Sequence, residues 1–187
     1  MQREHNCTGH VVWINGAFGS GKTTTAQLLV NAVPGSVLVD PEEVGTLLRD
    51  VLQPVAPVRD FQQWGAWREL VAATLNSVVR ELPEVGPGLV VVPQTISNDE
   101  YWSEIVSALD PGCRITAVAL QVSADEHRRR VAEDTSEPGA LRWRLGGFEQ
   151  FRSASWITTA FTCIETTDLG PAEVADAVRA LLSDEIG

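Results

Sequence analysis

The chain has 187 residues, 14 of them Lys or Arg and 25 Asp or Glu, for a formal net charge of −11. That length fills one domain around a buried core and leaves little for a second, so residues 1–187 are read as one domain. An acidic surface repels phosphate backbones, which argues against nucleic acid as the main partner and obliges any anionic ligand to find a local cationic pocket.

After a polar tail over residues 1–10, Val11-Val12-Trp13-Ile14 is a short apolar run of the kind that forms a buried parallel strand. A glycine-rich turn follows. Ala26, Leu29, Val30 and Val33 then keep helical spacing until Pro34-Gly35. Val37-Leu38-Val39 predicts a second strand ending at Asp40, and Val44, Leu47, Leu48 and Val51 mark one face of the next helix. A longer helix is expected over residues 60–82, with Trp64, Trp67, Val71, Leu75, Val78 and Leu82 on one stripe. Leu89-Val90-Val91-Val92 is the most apolar strand candidate. Trp102, Ile105, Val106 and Leu109 mark a helix, and residues 115–122 a fourth strand. Ser123 to Glu126 has the spacing of a capping box, opening a short arginine-rich helix. Residues 135–155 loosen into glycine, arginine and aromatic side chains. Residues 162–166 suit a fifth strand, and Gly170-Pro171 starts the last helix. This alternation predicts an α/β fold, a doubly wound parallel sheet of about five strands with helices on both faces. Cys7, Cys113 and Cys163 form no CxxC and fit a reducing compartment. The first ten residues lack a signal peptide's apolar run and no stretch suits a membrane span, so the expected location is cytoplasmic.

Gly16-Ala17-Phe18-Gly19-Ser20-Gly21-Lys22-Thr23 fits G-x-x-x-x-G-K-[ST] in full, between a predicted strand and a predicted helix. The glycines let successive backbone N–H groups converge on phosphate oxygens, and the helix aims its positive end at the same point. Lys22 adds a charge for the β and γ phosphates, and the Thr23 hydroxyl can ligate magnesium. The segment Gly16 to Thr24 is therefore the expected site for ATP with Mg2+.

Asp40-Pro41-Glu42-Glu43 reads two ways. It is a good helix start, with Asp40 as N-cap, and it also puts a carboxylate where a hydroxyl-directed kinase needs a base. The third strand ends in Pro93-Gln94-Thr95 with no acid, which weakens the case for a motor-type ATPase. Arg128, Arg129, Arg130, Arg142, Arg144 and Arg152 cluster in residues 123–155, read as a lid that could place guanidinium groups on a transferring phosphoryl. The competing reading is a solvated helix face, with Glu133, Asp134 and Glu137 as partners. Arg130 is the first choice for catalysis, with Lys22 and Asp40, and Arg142 or Arg144 the second. Arg49, Gln62, Trp67, Arg68 and Thr95 are candidates to line an acceptor site between the second and third helices, although Trp64 and Trp67 equally suit the core. His5, His10 and His127 show no ligand spacing and are assigned no role.

The run from Val12 to Thr23, with Ile14-Asn15-Gly16-Ala17-Phe18-Gly19-Ser20-Gly21-Lys22, resembles the phosphate loop of the tunicamycin-resistance proteins. The likeness continues through Asp40-Pro41-Glu42, Gly45 and Arg49, then Asp60-Phe61-Gln62, Trp67-Arg68, Val92-Pro93, Thr95-Ile96 and Glu100-Tyr101. It spans about residues 11–109 and thins beyond, where Asp134 stands in place of an expected lid arginine. The resemblance implies a P-loop kinase-like fold and ATP-dependent phosphorylation of a nucleoside-like antibiotic or related metabolite, with a carboxylate at Asp40 as base. The alternatives are a housekeeping nucleotide or metabolite kinase, and a nucleotide-dependent protein that binds a drug without turnover.

Overall fold

The computed structural model describes residues 9–82, 88–133 and 141–186, with side chains placed outside 141–146 and 183–186. Strand β1 (His10–Gly16) is buried at every residue, and Val11, Val12, Trp13 and Ile14 are fully enclosed. A run without alternation is what a strand covered on both faces requires. It lies between β3 (Leu89–Pro93) and β4 (Arg114–Gln121), pairing Val12 with Val91 and with Thr116. Strands β2 (Val37–Leu38) and β5 (Thr162–Glu165) form the two edges, and all five are parallel in the order β2-β3-β1-β4-β5.

That order makes the chain cross leftward once, from β1 to β2, and rightward in every later step. Right-handed crossovers therefore send the first connection to one face and the others to the opposite face. Helix α1 (Lys22–Ala32) accordingly packs with the last helix, α8 (Pro171–Ile186). Ala26, Leu29 and Val33 meet Val174, Val178 and Leu182 over Val12 and Ile14. The opposite face carries α2 (Pro41–Leu52), α3 (Gly65–Glu81), α4 (Asp99–Ser107), α6 (Leu141–Ser153) and α7 (Ile157–Ala160). There Val11 and Trp13, the alternate residues of β1, pack among Trp67, Trp102, Phe148 and Phe161. Trp13 meets Trp102 edge-on at 5.2 Å, and Trp102 leans on Phe161 at 4.5 Å. Helix α5 (Ala124–Glu133) rises from the end of β4.

Two expectations need correction. The helix expected over residues 60–82 is broken. Asp60 caps a short 3-10 turn, Phe61–Gln63, accepting the Gln62 N–H while the Gln63 side chain returns to the Asp60 N–H. The chain then extends at Trp64 before α3 begins, so local capping overrides the continuous apolar stripe. The loosened segment 135–155 contains α6, whose pattern is obscured by Gly146-Gly147, and is followed by the short α7. Residues 134–140 lie outside the described residues. Among the described residues, no helix is long and apolar enough to cross a membrane.

Trp67 joins α3 to α2. It is fully buried, its indole N–H donates to the Pro41 carbonyl at 3.0 Å, and its ring lies 5.2 Å from that of Phe61. Trp67→Phe should leave the buried Pro41 carbonyl without its donor and open a void beside it. The expected loss is roughly 1–3 kcal/mol, read as a lower urea midpoint.

Candidate functional site

The segment from Gly16 to Thr23 turns from the end of β1 into α1. Gly16 leaves no space for a side chain: a Cβ there would lie 2.4 Å from Ser20 Oγ and 3.1 Å from the Leu120 carbonyl. Gly21 meets no such crowding, but its left-handed backbone, φ 96° and ψ 11°, disfavours any other residue. It offers α1 no capping side chain, and the first turn carries no acid. The helix's positive end is left for an anion.

The loop is held from behind by side chains distant in sequence. Thr95 Oγ1 donates to the Gly16 carbonyl at 2.7 Å, His127 Nε2 to Phe18 at 2.9 Å and Arg130 Nη1 to Ser20 at 3.4 Å. A trans peptide points its carbonyl and the next N–H in opposite directions. With the Phe18 and Ser20 carbonyls held by α5, the N–H groups of Gly19 and Gly21 face away from α5. Asn15 anchors the loop's start. Fully buried, it donates to the Ile96 carbonyl at 3.0 Å and accepts from the N–H groups of Gly16 and Ile96 at 2.8 and 3.0 Å.

Lys22 folds back onto the Ala17 carbonyl at 3.0 Å. Its side chain is half-buried, and desolvation pulls its pKa down to about 8 against an opposing pull from Glu42. Glu42 is thus a carboxylate that Lys22 feels, and no motif in the sequence marks it. Asp40 is the N-cap of α2, its Oδ1 accepting from the Glu42 N–H at 2.9 Å. Thr23 and Thr24 stand exposed at the start of α1.

His127 was assigned no role from sequence. It is fully buried, stacked on Phe148 of α6 at 4.0 Å and 14°, and in hydrogen-bond contact with the phosphate loop. A carbonyl only accepts, so Nε2 must carry the proton. Burial lowers its pKa, which favours that neutral form. Nothing in the spacing of the chain marks this contact.

Arg130 does not reach across open space, as a lid arginine would. Its guanidinium pairs with Glu126 at 2.7 Å, and it donates to the Ser20 and Thr166 carbonyls, clamping the phosphate loop to the turn after β5. Hydrogen bonds from Arg129 and then Arg130 hold the Glu126 carboxyl down to about 2. Ser123 Oγ accepts the Glu126 N–H at 3.3 Å, but the Ser123 N–H goes to Thr167, so only half of the expected capping box forms. Arg128, Arg129 and Arg152 pair with acids three or four residues away on solvated faces. The Arg142 and Arg144 side chains, and Asp134 and Glu137, lie outside the described residues.

The acceptor candidates mostly form a scaffold. Gln62 is buried and donates to the Thr95 carbonyl at 2.9 Å. Arg68 donates to the Gln62 carbonyl, pairs with Glu104 and covers the Tyr101 ring at 4.3 Å. With Trp67 enclosed as well, Gln62 and Trp67 expose almost no surface in this conformation. Arg49 alone of the five is exposed, 5.9 Å above Phe61.

Two outcomes follow from this geometry. Lys22 loses its charge as pH rises through about 8, so the Kd of a fluorescent ATP analogue should be flat from pH 6.5 to 7.5 and rise about tenfold by pH 9.5. The same depressed pKa means the unfolded chain binds more protons between about 8 and 10.5, so this group's contribution to stability grows across that window. His127→Leu removes the donor behind Phe18 and should weaken nucleotide binding by about 5- to 30-fold, whereas His127→Gln, which keeps an N–H donor, should restore most of it.

The fold and loop have known counterparts. No curated protein matches the chain. Among solved structures it is similar to the tunicamycin resistance protein of Deinococcus radiodurans, with 28% identity, 93% of this chain and 95% of that chain covered, and a TM-score of 0.64. It is also similar in fold to a sugar kinase from Janibacter sp. HTCC2649, at 17% identity, 94% and 95% coverage and a TM-score of 0.65. A shikimate kinase from Acinetobacter baumannii gives 16% identity, 95% of each chain and 0.61. The neighbours share the P-loop kinase-like sheet. Residues 11–139 match the model of the AAA domain family, well over half of the chain, and the chain belongs to that family.

Proposed function

We infer that this protein is an ATP-dependent phosphotransferase that moves the γ-phosphoryl group to a hydroxyl of a small molecule. The observation that carries this reading is the phosphate loop itself. Its Phe18 and Ser20 carbonyls are held from behind, its lysine is poised beside Ala17, and two carboxylates, Asp40 and Glu42, stand at the start of α2. Loop N–H groups and Lys22 bind and orient the polyphosphate, and Lys22 stabilises charge that develops on the phosphoryl. Asp40 is the proposed base that accepts the acceptor's proton, with Glu42 close enough to tune Lys22.

The donor set fits magnesium. Thr23 offers an exposed hydroxyl, and among the described residues no cluster of three or more His, Cys, Asp or Glu forms a self-sufficient site. A hard cation held by one or two protein oxygens and the phosphates needs no more. Magnesium would neutralise the phosphate oxygens when bound, with the Thr23 hydroxyl as its ligand from this chain.

For the acceptor, the likeness to the Deinococcus radiodurans protein supports a nucleoside-like antibiotic such as tunicamycin, with resistance as the outcome in the cytoplasm, where ATP is available. A second reading is nucleotide-dependent drug binding without turnover, favoured by the absence of an acid at Pro93-Gln94-Thr95. ADP release with and without tunicamycin, with mass analysis of the drug, separates the two. Drug-dependent ADP and a mass gain of one phosphoryl group are expected. Binding without ADP would favour sequestration.

Lys22→Ala should abolish most turnover in a folded protein. Asp40→Asn keeps a good N-cap, so its melting temperature should barely change while kcat falls by roughly 10² to 10⁴. A loss of stability with turnover intact would reduce Asp40 to a helix cap.

A further inference from the structure

Gln94 follows β3, the strand that lies between β2 and β1 in the sheet. Its backbone N–H donates to the Ile14 carbonyl at 3.2 Å and its own carbonyl accepts the Trp13 indole N–H at 3.1 Å, so the strand's register runs on through it. Ile14 pairs with Pro93 and Leu38 with Val91. That register sets Gln94 one strand from the start of the phosphate loop and, on the other side, one strand from Asp40. Adjacent strands are about 4.8 Å apart. Val90 and Val92 face the α2–α3 cluster, and the alternation carries the Gln94 side chain to the same face.

The residue is 3% exposed, and its amide is loosely committed. Nε2 donates to the Thr95 carbonyl at 3.1 Å, an atom that also accepts the Gln62 amide at 2.9 Å. A carbonyl only accepts, so this bond fixes which end of the Gln94 amide is oxygen. That oxygen, Oε1, is buried and has no hydrogen-bond partner among the described residues. An enclosed amide oxygen without a donor is a costly state that an arriving donor relieves. Swinging the amide away from Thr95 gives up a bond that Gln62 duplicates, and it frees Oε1 to meet that donor.

We propose that Gln94 determines acceptor specificity: its Oε1 accepts the O–H of a second hydroxyl beside the one that Asp40 deprotonates, so the acceptor is a vicinal diol of the kind a ribose carries. The inference rests on the phosphotransferase reading, which supplies the role of Asp40. A carboxylate and an amide oxygen on neighbouring strands are two acceptors side by side. They call for two donors, and the carboxylate repels an anionic group. Neighbouring hydroxyls on one ring supply both donors. The flanking residues cannot take this part, since Pro93 has no polar side chain and the Thr95 hydroxyl is spent on the Gly16 carbonyl.

The test compares uridine, 2′-deoxyuridine and 3′-deoxyuridine by calorimetry in the presence of a non-hydrolysable ATP analogue. Each deoxy analogue lacks one hydroxyl of the pair, so both should bind the parent about 5- to 30-fold more weakly than uridine does. Gln94→Met keeps the length of the side chain and removes its amide. It should retain the parent's affinity for a fluorescent ATP analogue and bind uridine about 5- to 30-fold more weakly. It should also lose the preference over one deoxy analogue and keep the preference over the other. Gln94→Glu keeps an acceptor oxygen at the same reach and should keep both preferences, which a merely structural role would not require. Failure of uridine to bind the parent, equal binding of the three probes, or both preferences intact in Gln94→Met overturns the proposal. Diol selection through Gln94 without ADP release defeats the transferase reading and leaves Gln94 as a binding residue. ADP release from uridine with no preference among its hydroxyls does the reverse.

Discussion

A peptide group cannot turn its N–H inward without turning the preceding carbonyl outward, and an outward carbonyl in a buried setting needs a donor behind it. The phosphate loop meets that demand with Thr95 at Gly16, His127 at Phe18 and Arg130 at Ser20. These donors come from the segment after β3 and from α5. The glycine-rich loop is thus fastened by two other parts of the chain. Asn15 completes the arrangement by bonding the end of β1 to Ile96, next to Thr95's own bond to Gly16.

What could be read from the sequence was local. Strands β1 and β3 showed because both of their faces are buried, leaving unbroken apolar runs such as Leu89 to Val92. The phosphate loop showed because its spacing is fixed within eight residues. Asp40 showed as a cap for the same reason. The donors behind the loop did not show, because Asn15 and Ile96 are 81 positions apart and His127 and Phe18 are 109 apart. No periodicity encodes such pairs. The break at Trp64 was hidden by an apolar stripe that runs straight through it, and α6 by a pair of glycines that a tertiary apolar face outweighs.

The arginine cluster illustrates how composition can point to the right segment for an incomplete reason. Arg128, Arg129 and Arg152 satisfy near neighbours in sequence, and exposed pairs of that kind contribute only ~0–1 kcal/mol each. Arg130 differs because two of its partners, the Ser20 and Thr166 carbonyls, are more than thirty residues away. In this conformation its guanidinium fastens the phosphate loop to the turn after β5. Lys22 remains the cation whose own environment is unsettled, desolvated and resting on a carbonyl of its own loop.

The pairing of α1 with α8 ties the beginning of the chain to its end. The helix that leaves the phosphate loop packs on the sheet at Val12, Ile14, Leu89 and Val91, and on its flank against Val174, Val178 and Leu182 of α8. A chain cut before α8 would hold every residue of the motif and leave Ala26, Leu29 and Val33 without part of their apolar cover. The loop's exit helix is thus covered in part by a segment that carries none of the motif.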